Sequence, residues 1–394
     1  MKLHQFLLLV LCLHYAQAKT EDDYYDMFGF DYSDYEDFTD PPTVPPELSH
    51  AELKKCDPKC IFQERPITPN NIASFPKCAT VCAQLLIDHT SGLTMNQLTT
   101  AFKSLRYLIG GIQIHDTNLV NASFLAGLQK VESETTGIEI TGNNKMVELG
   151  LKDLTMIIAT YFNVYNNEKL LKFNMPKWTI LKCPGKSCYI SVSIENVWKD
   201  NFCLTTSELK PILSVGKDGG VHVNGIVCAP PKTNKKQCTK PTVGCEELIG
   251  DLEIGAKFDV KKVKSLKVLY GSLMVDASNL TDFGYLGNLT QIVQIDEFSS
   301  AIDVQNNKKL KSVSMPKLKL IWSTSSDRIV FDNNNAELFK DYQSCYAMRS
   351  ALRPESSGYE PSFSFKYCEQ MEKDAKKGTT KKVTTKKATT KKSG

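Results

Sequence analysis

Cysteine is the residue whose spacing in this sequence most directly predicts chemistry. Two pairs share one spacing, Cys56 with Cys60 and Cys78 with Cys82. If each pair lies on one face of a helix, two facing helices could be joined by two disulfide bridges, and the same four thiols could instead bind one zinc ion. The compartment separates these alternatives, because thiols oxidise in extracellular proteins and stay reduced in the cytosol.

The N-terminus predicts the oxidising compartment. Lys2 precedes an apolar run from Phe6 to Cys12, and residues 16–18 read Ala-Gln-Ala, which is the pattern of a secretory signal peptide over residues 1–18. Its cleavage removes Cys12 and leaves 12 of the 13 cysteines. No later stretch approaches the roughly 18 apolar residues that a membrane span needs. We therefore expect a secreted, extracellular protein with disulfides, no metal and no membrane span.

All the remaining cysteines are thus expected to form disulfides. Spacing does not decide their connectivity, although pairing between neighbours is the simplest arrangement for 183 with 188, 203 with 228, 238 with 245 and 345 with 368. The expected set is Cys56, Cys60, Cys78, Cys82, Cys183, Cys188, Cys203, Cys228, Cys238, Cys245, Cys345 and Cys368.

No catalytic pattern accompanies the cysteines. The sequence contains no HExxH, GxSxG or Gly-rich phosphate loop, and none of its histidines lies in a recognisable pattern with a nucleophile. Asp276 and Asp303 could approach each other on adjacent turns of a repeat, as an enzyme on a β-helix requires, but a solvated outer face is the simpler interpretation. We expect a protein that is not an enzyme and uses no cofactor.

The two ends of the chain carry opposite charges, although the whole chain of 394 residues has a formal net charge of only +4. Residues 19–55 contain eleven acidic residues against three lysines and show no apolar periodicity, so we expect a disordered acidic arm. Four tyrosines among these acids are candidates for sulfation, and a merely solubilising arm is the alternative. They are Tyr24, Tyr25, Tyr32 and Tyr35.

The C-terminal segment, residues 371–394, has nine lysines against two acidic residues and contains the near-repeat TTKKVTTKKATTKK. We expect a disordered basic tail. A lysine row without aromatic residues offers point charges but no stacking surface, so it suits sulfated glycans or an anionic matrix better than nucleic acid.

Between these ends the chain contains two copies of one domain. The segment FKSLRYLIGGIQIHDTNLVNASFLAGLQKV, from Phe102, matches VKSLKVLYGSLMVDASNLTDFGYLGNLTQI, from Val263, at a constant offset of 161 residues. Within each copy, short apolar-x-apolar triplets recur at intervals of 21 to 29 residues, as in Ile138-Glu139-Ile140 and Ile302-Asp303-Val304. Such a period is typical of a solenoid.

The triplets predict a coil of parallel strands. Side chains alternate across a strand, so the two apolar residues point inward and the middle residue points outward. One such strand cannot bury its apolar residues alone, and stacked rungs are therefore required. Asparagine pairs follow the strands and suit the corners between rungs, because Asn tolerates left-handed backbone. The pairs are Asn143-Asn144, Asn166-Asn167, Asn306-Asn307 and Asn333-Asn334.

These blocks resemble the receptor L domains of the insulin and epidermal growth factor receptors. The resemblance rests on CEELIGDLEI from Cys245, the LxxLxxGxLxI run from Leu266, the NLTDFGYLGNL block and the NN..L..L.MP.L..I block, and it covers nearly all of residues 79–345. It implies a mainly β fold of two tandem right-handed parallel β-helices with short helices at their caps. With no long cysteine-rich region between the copies, the chain resembles the secreted, kinase-less tandem L-domain proteins that are numerous in nematodes.

On this basis we expect a first L domain with a Cys-rich N-terminal cap over residues 56–236 and a second over residues 237–370. A leucine-rich-repeat horseshoe is the alternative fold, because its repeat lengths overlap. Uneven rungs, a duplicated cassette and cysteines at its boundaries favour L domains.

The outward residues of the triplets are the candidate binding residues. The apolar members of this set are unusual on a solvated sheet and predict either a partner contact or packing under a loop. The set is Gln113, His115, Glu139, Thr141, Asn163, Tyr165, Met274, Asp303 and Val330. Three sequons predict N-glycosylation at exposed turns, at Asn121, Asn279 and Asn288.

We therefore expect a non-catalytic protein that binds an extracellular protein or peptide, with a role as a decoy or modulator of insulin- or EGF-receptor-type signalling. The resemblance implies that a peptide would dock on the sheet face of the first domain. The alternative is a matrix-associated structural or adhesion protein that attaches through its charged ends.

Overall fold

The computed structural model describes residues 47–186, 188–195, 202–215, 220–230, 236–296, 298–323, 325, 328–352, 362–363 and 368–377. The predicted signal peptide, the four tyrosines predicted to be sulfated and the repeated lysine tail beyond residue 377 lie outside these ranges. The described residues all belong to one compact unit.

The first solenoid contains two parallel sheets. Each rung of the chain contributes one strand to the first sheet and one strand to the second. The first sheet has the order β1 (Ile61–Phe62), β2 (Thr80–Ala83), β4 (Tyr107–Ile109), β6 (Lys130–Glu132), β8 (Met156–Ile158), β10 (Ile180–Lys182). The second sheet has the order β13 (Val221–Val223), β11 (Ser191–Glu195), β9 (Tyr161–Tyr165), β7 (Ile138–Thr141), β5 (Ile112–His115), β3 (Leu85–Ile87). A short pair, β12 (Cys203–Leu204) and β14 (Ile226–Val227), lies on a further side.

The second solenoid repeats this plan with five strands in each sheet. Its first sheet has the order β15 (Gln237–Cys238), β16 (Glu247–Ile249), β18 (Val268–Tyr270), β20 (Gln291–Gln294), β22 (Leu320–Ser323). Its second sheet has the order β17 (Leu252–Ile254), β19 (Leu273–Asp276), β21 (Ile302–Gln305), β23 (Ile329–Asp332), β24 (Ser362–Phe363). The predicted mainly β fold of two tandem parallel solenoids is confirmed.

Alternation along the strands builds the cores. Ile138 and Ile140 are buried on either side of the half-buried Glu139, and Ile302 and Val304 repeat the pattern. Because the register is parallel and unshifted, each inward residue stacks on its counterpart in the next rung. Burial of such side chains stabilises the fold by about 1.5–3 kcal/mol each relative to exposure.

Buried asparagines stack along the corners that follow the second sheets. Asn143 Oδ1 accepts hydrogen bonds from the Thr117 amide and hydroxyl on the preceding rung at 3.0 and 2.6 Å, and Asn143 N donates to Asn167 Oδ1 at 3.0 Å. Asn307 N likewise donates to Asn334 Oδ1 at 3.0 Å. Each amide therefore satisfies backbone groups that the corner would otherwise leave buried without a partner.

The residue before each stacked asparagine has left-handed backbone. Asn166, Asn306 and Asn333 have φ values of 54°, 59° and 50°, as expected for the predicted pairs. At the corner that contains Asn143, the residue with left-handed backbone is Gly142, whose φ is 68°. The pair that forms this corner is therefore Gly142-Asn143 and not the predicted Asn143-Asn144. Glycine substitutes readily because it has no Cβ to clash in this conformation.

The N-terminal cap differs from its prediction in two ways. Helix α1 (His50–Lys54) begins at a capping box formed by Ser49 and Glu52, so the predicted disordered arm, residues 19–55, ends in ordered structure. The cap cysteines do not lie on two facing helices. The disulfide Cys56–Cys82 joins the end of this helix to β2, and Cys60–Cys78 joins a 3-10 helix (Pro58–Cys60) to the loop before β2.

The remaining helices are short and lie between strands or at the C-terminal end. They are α2 (Met95–Phe102), α3 (Thr206–Val215) and α4 (Tyr342–Leu352), with 3-10 helices at Ile72–Ser74, Ser123–Leu125, Val260–Val263, Gly284–Leu286 and Ala336–Phe339. Residues 368–377 are also helical, and the disulfide Cys345–Cys368 links them to α4. The tail predicted to be disordered from residue 371 therefore begins in a helix.

The two solenoids pack against each other. Ile249, Tyr270 and Val293 stand in register on the outer side of their sheet and are buried in the apolar cluster that contains the interior of the first solenoid. The Gly225 amide donates a hydrogen bond to the Ile295 carbonyl at 3.2 Å, which connects the end of the first solenoid to the second.

Candidate functional site

The second sheet of the first solenoid presents two columns of outward side chains. Gln113, Glu139 and Asn163 are direct neighbours across β5, β7 and β9, as the triplets predict. The adjoining column contains His115, Thr141 and Tyr165. We call these six residues the polar face.

Glu139 lies at the centre of the polar face. Its Oε2 accepts a hydrogen bond from Gln113 Nε2 at 3.2 Å, and its Oε1 accepts one from the Tyr165 hydroxyl at 3.0 Å. His115 Nε2 lies 3.5 Å from Oε2, which is longer than an ordinary hydrogen bond. Three side chains from the two flanking rungs therefore converge on one carboxylate.

This arrangement keeps the carboxylate charged and the neighbouring phenols protonated. The His115 imidazole is the main group that lowers the pKa of Glu139; burial opposes this effect, and Tyr165 and Gln113 reinforce it. Burial, followed by the charge of Glu139, raises the pKa of Tyr165 to about 12. The same two causes raise the pKa of Tyr161. At neutral pH the face thus carries a Glu139 carboxylate anion that accepts hydrogen bonds from Gln113 and Tyr165.

Several polar atoms of this face are buried without a hydrogen bond. Gln113 and His115 are only 7% and 3% exposed, although their strand positions point outward. Within the part of the chain that the structure describes, Gln113 Oε1, His115 Nδ1 and Asn163 Oδ1 have no hydrogen-bond partner. A buried polar atom without a partner costs about 1–3 kcal/mol, so these atoms lower the stability of the polar face.

The family comparison agrees with this geometry. The sequence model of the family described as Receptor L domain matches residues 77–181 and again residues 244–350, which together exceed half of the chain. The chain belongs to the receptor L domain family. Its L domains are binding domains of the kind found in ligand-binding receptors, and the family is not a catalytic one. No curated protein matches the chain significantly.

The sequence prediction missed neighbouring residues of the first L domain. Tyr161 precedes Phe162 in β9 and therefore also faces outward, and its pKa responds to Glu139 and Gln113. On the next strand, β11, Ser193 Oγ donates to Glu195 Oε1 at 2.8 Å. Applying the alternation beyond each triplet would have revealed these residues, because β9 and β11 are five residues long.

The predicted residues of the second L domain form a different surface. Met274, Asp303 and Val330 are neighbours across β19, β21 and β23, and all three are half-buried. The Asp303 carboxylate accepts hydrogen bonds from Gln305 Nε2 at 2.9 and 3.0 Å. No residue set comparable with the one around Glu139 converges on Asp303 within the described ranges.

The two carboxylates considered for catalysis do not pair. Asp303 stands opposite Met274, whereas Asp276 stands opposite Gln305. The Asp276 carboxylate accepts a hydrogen bond from Asn306 Nδ2 at 2.8 Å, so each carboxylate is held by a neutral amide.

The twelve predicted cysteines form six disulfides; four join the neighbours named as the simplest pairs, and the four cap cysteines, whose partners the sequence left open, form the other two. They are Cys56–Cys82, Cys60–Cys78, Cys183–Cys188, Cys203–Cys228, Cys238–Cys245 and Cys345–Cys368. In the described ranges, no group of three or more His, Cys, Asp or Glu side chains is placed to hold a metal ion. None of the helices in those ranges has the length and hydrophobicity to cross a bilayer.

The predicted sequons differ in exposure. Asn121 is half-buried and its Oδ1 accepts hydrogen bonds from the Ser123 amide and hydroxyl at 3.0 and 2.6 Å. Asn279 and Asn288 are exposed. Glycosylation at the three positions stays a prediction.

Proposed function

We propose that this protein is a secreted, non-catalytic binding protein that recognises an extracellular protein or peptide through the polar face of its first L domain. The observation that carries the proposal is the convergence of Gln113, His115 and Tyr165 on Glu139, with buried polar atoms beside them that lack partners. Six disulfides support an extracellular location, because such bonds persist in oxidising compartments.

The chemistry of the face favours a ligand rich in hydrogen-bond donors. Glu139 is an anion, while Gln113 Oε1 and Asn163 Oδ1 are acceptors without partners in the described structure. Backbone amides or a basic side chain of a peptide would pair with the half-buried Glu139 carboxylate. Family membership supports a receptor-like role, and we propose that the protein acts as a decoy or modulator of insulin- or EGF-receptor-type signalling.

The test is recovery of an extracellular partner by the immobilised full chain, followed by comparison of two variants. Glu139→Gln removes the charge at the centre of the polar face, and we expect the bound partner to decrease at least tenfold. Glu253→Gln changes the exposed middle residue of a triplet in the second L domain and serves as the matched control. Equal loss in both variants, or undiminished binding by Glu139→Gln, would contradict the proposal.

Attachment to the extracellular matrix through the charged ends is the alternative function, and the lysine-rich composition after residue 371 favours it. It predicts that the protein stays in matrix at low salt and is extracted by high salt, since exposed charges are screened. A partner that remains bound to the polar face at high salt supports the first function instead.

A further inference from the structure

The second L domain carries a concentration of lysines outside its sheets. The connecting segments of three successive rungs, residues 256–267, 279–290 and 309–319, stack on one another through hydrogen bonds. Thr290 N donates to the Lys267 carbonyl at 2.7 Å, and Lys319 N donates to the Thr290 carbonyl at 2.8 Å. These segments contain nine lysines and only two acidic residues, a net charge of +7. We call this surface the lysine face.

The fold itself does not require this charge. The corresponding segments of the first L domain, residues 95–106, 118–129 and 145–155, stack through equivalent bonds, such as Thr155 N to the Gln129 carbonyl at 2.9 Å. They contain four basic residues and two acidic residues, a net charge of +2. The same architecture is thus built with and without a strongly positive surface.

Neutral groups, not carboxylates, hold two of these lysines in place. Lys309 Nζ donates to Asn279 Oδ1 at 3.0 Å, and Lys317 Nζ donates to Asn288 Oδ1 at 2.7 Å. An amide oxygen orients an ammonium group without cancelling its charge. Lys267 is different, because Glu246 pairs with it at 2.8 Å.

The two acidic residues of the lysine face serve the local backbone. Asp259 Oδ1 accepts a hydrogen bond from Lys261 N at 3.0 Å, and Asp282 Oδ1 accepts one from Gly284 N at 2.8 Å. Asp259 is the N-cap of the 3-10 helix Val260–Val263. The positive charge of the surface is therefore only partly compensated.

We propose that the lysine face binds a sulfated glycosaminoglycan. Rungs lie about 4.8 Å apart, so lysines on the first and third rungs lie about 10 Å apart and flank a middle rung without lysines, which suits sulfates spaced along an extended chain. The aromatic residues of these segments, Phe258, Phe283 and Tyr285, are buried or half-buried and offer no stacking surface for nucleic-acid bases. Anionic lipids are concentrated in the cytoplasmic leaflet, which a disulfide-bonded extracellular protein does not meet.

The position of the sequons limits when this surface is accessible. Asn279 and Asn288 lie on the middle rung, and each contacts a lysine of the third rung. An N-glycan at either position would cover the lysines around it. The test protein therefore carries Thr281→Ala and Thr290→Ala, which destroy both sequons and leave the asparagines in place.

The experiment measures the affinity of this full chain for heparin, with the C-terminal tail present in every variant. Changing Lys264, Lys317 and Lys319 to Gln should weaken binding about tenfold and lower the salt concentration for elution, because three charged contacts are lost. The matched control changes Lys145, Lys152 and Lys169 of the first L domain to Gln and should alter affinity less than about twofold.

Equal weakening by both triple variants, or unchanged binding by the first, would overturn the proposal and assign heparin binding to the tail or to net charge. Desulfated heparin should not bind. Circular dichroism of each variant checks that the fold is retained. The proposal does not depend on the peptide-binding role, because Glu139→Gln should leave heparin affinity unchanged.

Discussion

Single side chains make the corners of these solenoids possible. Asn307 is fully buried, and its Oδ1 accepts hydrogen bonds from the Ser278 amide and hydroxyl at 2.9 and 2.6 Å. Its Nδ2 donates to the Val275 carbonyl at 2.8 Å. One amide therefore satisfies polar groups of several rungs, and no apolar side chain of similar size can replace it.

Removing this amide should destabilise the protein strongly. For Asn307→Ala we expect the free energy of unfolding to fall by about 2–4 kcal/mol, because several buried polar groups lose their partner. Asn306→Gly changes the adjacent exposed residue, whose φ is 59°, and should cost less than about 1 kcal/mol. Urea denaturation measures both values. Similar losses in the two variants would contradict our inference that the hydrogen bonds of the buried Asn307 amide cause the destabilisation.

A second residue-scale effect is electrostatic. Glu132 on β6 accepts hydrogen bonds from Lys130 Nζ at 2.7 Å, from Lys55 Nζ at 2.9 Å and from the Tyr107 hydroxyl. Burial raises the pKa of Glu132, but the hydrogen bonds from Lys130, Tyr107 and Lys55 outweigh burial and lower the pKa to about 2. This carboxylate thus ties the residue after α1 to the first sheet.

Because the folded pKa of Glu132 lies below the reference value of 4.5, its contribution to stability is fully present above about pH 4.5. The contribution is lost as the pH falls toward 2. Glu132→Gln should therefore destabilise the protein near neutral pH, and the difference from wild type should shrink on acidification. Urea midpoints at about pH 7 and about pH 3 test this expectation. Glu168→Gln, at an exposed site of the same solenoid, is the control, and a pH-independent difference would contradict the assignment.

At the scale of elements, the disulfides constrain caps and loops that the short strands alone hold weakly. Cys60–Cys78 closes a segment of 18 residues in the N-terminal cap, whereas Cys183–Cys188 closes only 5 after β10. The entropy removed from the unfolded chain grows with the logarithm of loop length. The two bridges should therefore contribute differently to stability.

Replacing Cys60 and Cys78 with Ala should lower the free energy of unfolding by about 3 kcal/mol, and replacing Cys183 and Cys188 with Ala by about 2 kcal/mol. All four cysteines are half-buried, which makes the two variants comparable. Guanidinium denaturation gives the difference. A larger loss from the shorter loop would mean that native packing, and not loop closure, dominates.

At the scale of the whole molecule, the solenoids share an apolar contact. Ile249, Tyr270 and Val293 occupy outward positions on their strands, yet they are buried with the core of the first solenoid. This contact holds the two L domains in a defined arrangement, and it explains why the outer side of that sheet is apolar.

Val293→Lys should separate the two solenoids while each core stays folded, since a charge buried at this contact would lack a partner. We expect a larger radius of gyration by small-angle X-ray scattering. Met274→Lys, at a half-buried outward position on the other sheet of the same solenoid, should leave the radius of gyration unchanged. A larger radius of gyration in both variants, or in neither, would contradict the inference that the apolar contact at Val293 holds the two solenoids together.

Much of the architecture followed from local pattern alone. The triplet around Glu139 predicted both the strand and its register, because side chains alternate with a fixed period of two. The boundaries of disorder were harder to predict. Helix α1 lies inside a segment whose acidic composition suggested disorder. The Ser49-x-x-Glu52 capping box is the sequence pattern that could have predicted this helix.

By itself, the sequence determined the tandem copies and the parallel rungs, since each depends on a repeated spacing along the chain. Only the tertiary structure decided that Gln113 and His115 are buried around Glu139, that Val293 faces the other solenoid, and that lysines of separate rungs form one surface. The physical reason is that burial and electrostatic field depend on groups brought together in space, and their distance along the chain does not encode that proximity.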